Sequence, residues 1–176
     1  MTRRVGRNFG LGKKGAGESG GRSALGWLDL PPLWLAAFAL VGLLLARFLP
    51  IYQYGATFGD PFWGPLGFAF IGLGLAIAGW AAATFAAHKT TLLPGETPSA
   101  LVSSGPYRFS RNPIYLADLL LLAGWCVMLG AITPFLLIAP FAKVLEIRFI
   151  APEEARLAEQ FPDEWAAWSA RVRRWI

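Results

Sequence analysis

Two apolar runs, residues 33–49 and 62–87, and a third of about twice one span's length, residues 114–150, alternate with polar segments. About 20 apolar residues cross a bilayer as one helix. Pro31 and Pro32 suit the first turn of a helix over 33–49, and Pro50 closes it. Residues 62–87 are rich in glycine and alanine and long enough to cross with tilt. Gly130, Thr133 and Pro134 break the double run into spans 114–130 and 131–150, joined by a very tight turn. After Pro152 the pattern changes. Leu157, Phe161, Trp165, Trp168, Val172 and Trp175 recur at steps of three or four, with arginines off that face. This predicts an amphipathic helix over 152–175, restarted at Pro162, lying in the headgroup region or packed on the protein's own cytosolic face. The predicted fold class is all-α integral membrane: four transmembrane helices with a C-terminal amphipathic interfacial helix.

Composition agrees. The 176 residues are 55% hydrophobic and 15% charged, more apolar than a soluble core of this size needs, so lipid must cover the surplus. The formal charge of +5 belongs to residues 1–26, where six basic residues face Glu18 alone; from Trp27 onward, ten basic and ten acidic residues cancel. The chain therefore divides into a flexible basic tail, 1–26, and a membrane domain, 27–176. A nucleic-acid partner is not expected, because it would need basic residues on a folded face. The long basic region, with no small-residue cleavage site after the first apolar run, argues against a signal peptide. Lys89, Arg108, Arg111 and the C-terminal arginines would share one side with the tail, while connectors 50–61 and 130–134 hold no Lys or Arg. The positive-inside rule then places both termini in the cytoplasm of a bacterial-type inner membrane.

Chemistry concentrates in "SGPYRFSRNPIYLAD", residues 104–118, a polar turn rigidified by Pro106 and Pro113. Arg111 and its neighbours supply donors at the cytosolic mouth, and Glu153 and Glu154 return to the same depth from the other side. Such a cluster suits a zwitterion with a cationic centre, although helix-terminus stabilisation or ion pairing alone would also account for the glutamates. Asp118 lies one turn beyond Tyr115, at a depth where a carboxylate needs a partner or a proton; pairing with Arg111 is expected, and facing a substrate cavity is the alternative. Glu146, seven residues before Glu153, would share its helix face if the helix continues, or simply pair with Lys143. Gly72-x-Gly74 sits inside an apolar span, where it reads as close helix packing rather than dinucleotide binding. His88 is the only histidine and Cys126 the only cysteine, so no metal site is expected; Cys126 reads as a packed hydrophobe.

"SALVSSGPYRFSRNPIYL", then "EEARLAEQFPDEWAAW" and "VRRWI", resemble the isoprenylcysteine carboxyl methyltransferase family, related to the membrane phospholipid methyltransferases. The likeness covers roughly Ser99 to Ile176. It implies an S-adenosylmethionine-dependent methyltransferase that binds its cofactor at the cytosolic ends of the last spans. The implied cofactor contacts are Leu101, Val102, Tyr107, Asn112, Pro113, Ile114, Tyr115 and Glu153, with Arg111, Glu154 and Arg148 as catalytic candidates. Asn112 stands where many members have histidine. Phe149 stands where prenylcysteine enzymes have a substrate-side arginine, with Arg148 one step away, so a prenylated protein is not the implied acceptor. The expected acceptor is a lipophilic small molecule or lipid bearing a thiol, carboxylate or amine. The alternative is a non-catalytic membrane interaction module using the basic tail and interfacial helix.

Overall fold

The computed structural model describes residues 29–54, 61–88 and 100–176. The expectation for the tail, residues 1–26, lies outside them. The described residues contain helices and no strand, with a single antiparallel bridge between Gln53 and Ala131.

Helix α1, Pro31–Phe48, opens on two prolines, whose fixed φ suits the first turn and whose missing N–H groups would be unpaired there anyway. It turns Trp34, Leu35, Phe38 and Ala39 inward and leaves Leu40, Val41, Leu43 and Leu44 exposed. Helix α2, Trp63–Ala87, likewise exposes Phe68, Leu73, Leu75 and Trp80. Both helices are long and apolar enough to cross a membrane.

Helix α3, Pro113–Met128, lies against α2 at a distance only small residues permit. A Cβ on Gly74 would meet the Ala117 carbonyl oxygen at 3.0 Å, and one on Gly124 the Gly67 carbonyl oxygen at 2.7 Å. Gly74 therefore serves close packing, as the sequence predicts, while a Cβ on Gly72 would meet nothing within 4 Å.

Where α1 ends, the connector segments 50–54 and 130–134 meet. Tyr54 N–H donates to the Gly130 carbonyl (3.0 Å) and Ile132 N–H to the Tyr52 carbonyl (3.0 Å). Thr133 Oγ1 donates to the Leu49 carbonyl (2.8 Å) and accepts from Ile51 N–H (3.0 Å). These bonds satisfy backbone groups that the turns leave unpaired.

The last apolar run differs from expectation. A 3₁₀ turn (Thr133–Leu137), helix α4 (Ile138–Leu145), a π turn (Glu146–Ile150) and helix α5 (Ala151–Gln160) follow one another without a break. No boundary separates a span ending at 150 from a helix beginning at 152. Pro152 supplies the reason: its ring would clash with the carbonyl four residues back, and its missing N–H removes that bond. The backbone widens just before it, and Ala151 N–H reaches back five residues to the Glu146 carbonyl.

The C-terminal helix is also shorter than expected. Phe161 leaves the helical region before Pro162, as residues preceding proline tend to do. Helix α6 then runs only from Pro162 to Ser169. Trp168 and Val172 are buried in one cluster with Ala81, Val102 and Tyr107, and Trp175 packs against the main core cluster. Much of the aromatic face covers the protein itself.

Candidate active site

The polar turn between α2 and α3 is shaped by Gly105, which adopts a left-handed φ of 59°. A side chain there would also strike Thr84 Oγ1, 2.5 Å from an added Cβ. Pro106 starts the 3₁₀ turn Gly105–Arg108, which carries Tyr107 into the second apolar cluster. Tyr107 meets Phe85 edge to face at 5.3 Å, and its carbonyl accepts from Trp168 Nε1 at 3.1 Å. Val102 is buried in the same cluster, with Leu101 and Ile114 packed against it, and Pro113 is fully buried. His88 closes the end of α2 through Thr84 O (2.8 Å) and Ser104 Oγ (3.3 Å). No group of residues among those described could hold a metal ion.

Glu153 and Glu154 are neighbours on a helix, so their side chains diverge by about 100°. Glu154 enters an ion network. Arg174 Nη2 contacts its Oε2 at 2.6 Å, and Arg111 Nε lies 3.2 Å from its Oε1. Arg174 also reaches Glu146 at 2.7 Å, and Lys143 pairs with the same carboxylate at 2.9 Å as expected. The π turn adds about one residue to the helical period, so Glu146 shares a face with Glu154 rather than Glu153. Both amide hydrogens of Asn112 are engaged, with Glu154 Oε1 (3.3 Å) and the Arg174 carbonyl (3.1 Å). Arg111 Cζ sits 5.4 Å from the Trp165 ring centre.

Arg111 is therefore not the partner of Asp118. The second carboxylate oxygen of Asp118 is buried without a hydrogen bond. Sequence spacing put the two on one helix face, but Arg111 precedes the helix, which starts at Pro113.

Glu153 faces the other way, into a cavity of about 220 Å³ lined by Asp29, Tyr115, Arg148, Phe149, Pro152, Glu153 and Arg156. Tyr115 Oη donates to Glu153 Oε2 at 3.0 Å, and its ring stacks on Phe149, centroids 6.2 Å apart. Burial raises the Glu153 pKa above the usual carboxylate value; the Tyr115 hydrogen bond and the Arg156 charge offset part of that effect. The Tyr107 phenol is pushed up by burial and then by the Glu153 charge, which ties the apolar wall to the same carboxylate. At the cavity edge Arg148 grips Asp29 through two hydrogen bonds, 3.0 and 2.9 Å, over the Trp34 ring.

The sequence-predicted residues thus fall into three groups. Tyr115, Glu153 and Arg148 line the cavity; Leu101, Val102, Tyr107 and Ile114 belong to the second apolar cluster, and Pro113 is fully buried; Arg111, Asn112 and Glu154 form the ion network. Asp29, Arg156 and Arg174 were missed as site residues. Arg156 had a legible signal, three residues after Glu153 on one helix face. Asp29 and Arg174 had none, since their partners are distant in sequence.

Two helices long and apolar enough to cross a membrane, beside an ionic network joining Arg111, Glu146, Glu154 and Arg174, define a membrane-associated protein. Residues 63–164, more than half of the chain, match the phospholipid methyltransferase family, and the chain belongs to that family. It is also similar to an uncharacterized protein of Haemophilus influenzae (strain Rd), 36% identical over 63 residues, which are 100% of that protein and 36% of this chain.

Proposed function

We propose that this protein is a multi-pass membrane methyltransferase that uses S-adenosylmethionine and a lipophilic acceptor. The carrying observation is Glu153: a half-buried carboxylate with a raised pKa, facing a cavity, in a family of methyltransferases. S-adenosylmethionine supplies a methyl group activated on a cationic sulfur. Its amino-acid end is a zwitterion, and Glu153 and Arg156, one turn apart, suit its ammonium and carboxylate. At about 220 Å³ the cavity is smaller than the roughly 300–1,000 Å³ of whole-ligand sites, so it accounts for one end of such a molecule. Tyr107, Leu101, Val102 and Ile114 would supply the apolar wall, and Tyr115 a polarisable face. Arg111, Asn112 and Glu154 hold the turn in shape through their mutual contacts. Methyl transfer asks the protein mainly to orient the acceptor and keep water out, which a site opening beside lipid serves.

The topology we infer has four spans: α1, α2, α3 and the run from Thr133 through the π turn. At 16 residues α3 rises about 24 Å, short for a bilayer, which local thinning accommodates. Both termini and the cavity would face the cytoplasm, with the basic tail, residues 1–26, and the domain 27–176 as separate units. The interaction-module alternative leaves a half-buried carboxylate facing a cavity without a use.

Calorimetry on detergent-purified protein tests the reading. S-adenosylmethionine should bind, and Glu153→Gln should weaken it by about 1.5–3 kcal/mol, the range for a hydrogen bond to a charged group. Equal affinity in a folded Glu153→Gln variant would remove the assignment.

A further inference from the structure

The contact between Asp29 and Arg148 has the shape of a filled binding site. Arg148 presents Nε and Nη2 side by side to the two oxygens of one carboxylate, at 3.0 and 2.9 Å. That fork matches any planar or tetrahedral oxyanion. The Trp34 ring supports the guanidinium, 5.4 Å from its centre, and its Nε1 donates to Asp29 Oδ1 at 3.0 Å. Asp29, Arg148 and Arg156 all line the same cavity, so a second cation stands nearby. Asp29 reaches this position from just before α1, 119 residues away in sequence. Both side chains remain partly open, at 48% for Arg148 and 40% for Asp29, so the pair can exchange with solvent or headgroups.

We propose that Arg148 is a binding site for an oxyanion presented by a membrane amphiphile, a phosphate or carboxylate headgroup, and that Asp29 is its built-in competitor. With no ligand, Asp29 fills the fork and ties the start of α1 to the π turn. An arriving headgroup takes the fork, and Asp29 moves away from the cavity mouth. The residues just upstream favour anionic lipid at this face, since residues 1–26 carry a net +5. The inference stands apart from the cofactor assignment, because Glu153 and Tyr115 are untouched in every variant below.

An ordinary structural ion pair and a competed site differ in sign. Removing either partner of a structural pair harms the same property, whereas removing a competitor improves binding. Full-length protein in neutral detergent is titrated with short-chain phosphatidylglycerol. Asp29→Asn should bind it about fivefold tighter, the equivalent of losing one exposed ion pair. Arg148→Gln should bind at least about tenfold weaker. The double variant should behave like Arg148→Gln. Trp34→Phe, which keeps both charges but frees Asp29 from one hydrogen bond, should also tighten binding and serves if Asp29→Asn does not fold. Displacement of the lipid by inorganic phosphate would show that the fork reads a free oxyanion; tightening by Asp29→Asn without such displacement would show that it needs the lipid. The proposal is overturned if neither Asp29→Asn nor Trp34→Phe tightens binding, or if the tightening persists in the double variant.

Discussion

Ionising Glu153 works against the fold. Burial raises its folded pKa above the unfolded value, so its contribution to stability is greatest below the unfolded carboxylate pKa of 4.5 and is lost as pH rises through the raised value. Above that raised value the half-buried charge works against the fold. Glu153→Gln should melt higher than the parent at pH 8, by about 2–4 °C for each kcal/mol of relieved desolvation, and the gap should close near pH 4. Melting curves at the two pH values decide it; a variant that melts lower at pH 8 contradicts the sign. Asp118 follows a related logic. Its buried oxygen has no partner to lose, so Asp118→Asn should leave the melting temperature unchanged or raise it. A fall of several degrees would mean that the carboxylate holds something together. Sequence depth alone marked Asp118 as special, but its isolation is visible only once Arg111 is seen with Glu154.

Between elements, the α2–α3 contact depends on absent side chains. On Gly124 a Cβ would lie 2.7 Å from the Gly67 carbonyl oxygen and 3.1 Å from the Ile71 nitrogen, both backbone atoms that cannot swing aside. Gly124→Ala should therefore cost about 1–3 kcal/mol, as overpacking does. Gly72→Ala, with open space around it, should be neutral or gain up to about 1 kcal/mol from helix propensity. Denaturation of the two variants in the same detergent gives a direct comparison, and equal effects would refute the close-packing account. The run of small residues was readable as a packing face. Which glycine touches and which does not follows from the helix pair's rotation, and so only from the structure.

For the molecule as a whole, the proposed orientation makes a simple demand. A reporter fused after Ile176 should read cytoplasmic, and one inserted among residues 55–60 should read external. Both on one side would remove the four-span arrangement. The end that holds the cavity is assembled from pieces far apart in sequence: the start of α1, the 104–112 turn, the π turn with α5, and the last residues. Arg174 joins the last two directly through Glu146 and Glu154, while the Arg173 and Arg174 carbonyls accept from the 110–112 backbone and side chains.

By itself the sequence determined the apolar runs, the prolines and glycines that end them, the polar turn and the two glutamates, because each is local composition or period. It also carried the family, through motifs whose order and spacing need no coordinates. The continuous helix from Thr133 to Gln160 was not legible, since Pro152 reads equally well as a helix start and as a site relieved by a widened turn. Only the tertiary structure decided that Glu153 faces a cavity while Glu154 faces Arg174. That choice depends on helix rotation after the π turn, and a one-residue shift in register moves a side chain by about 100°.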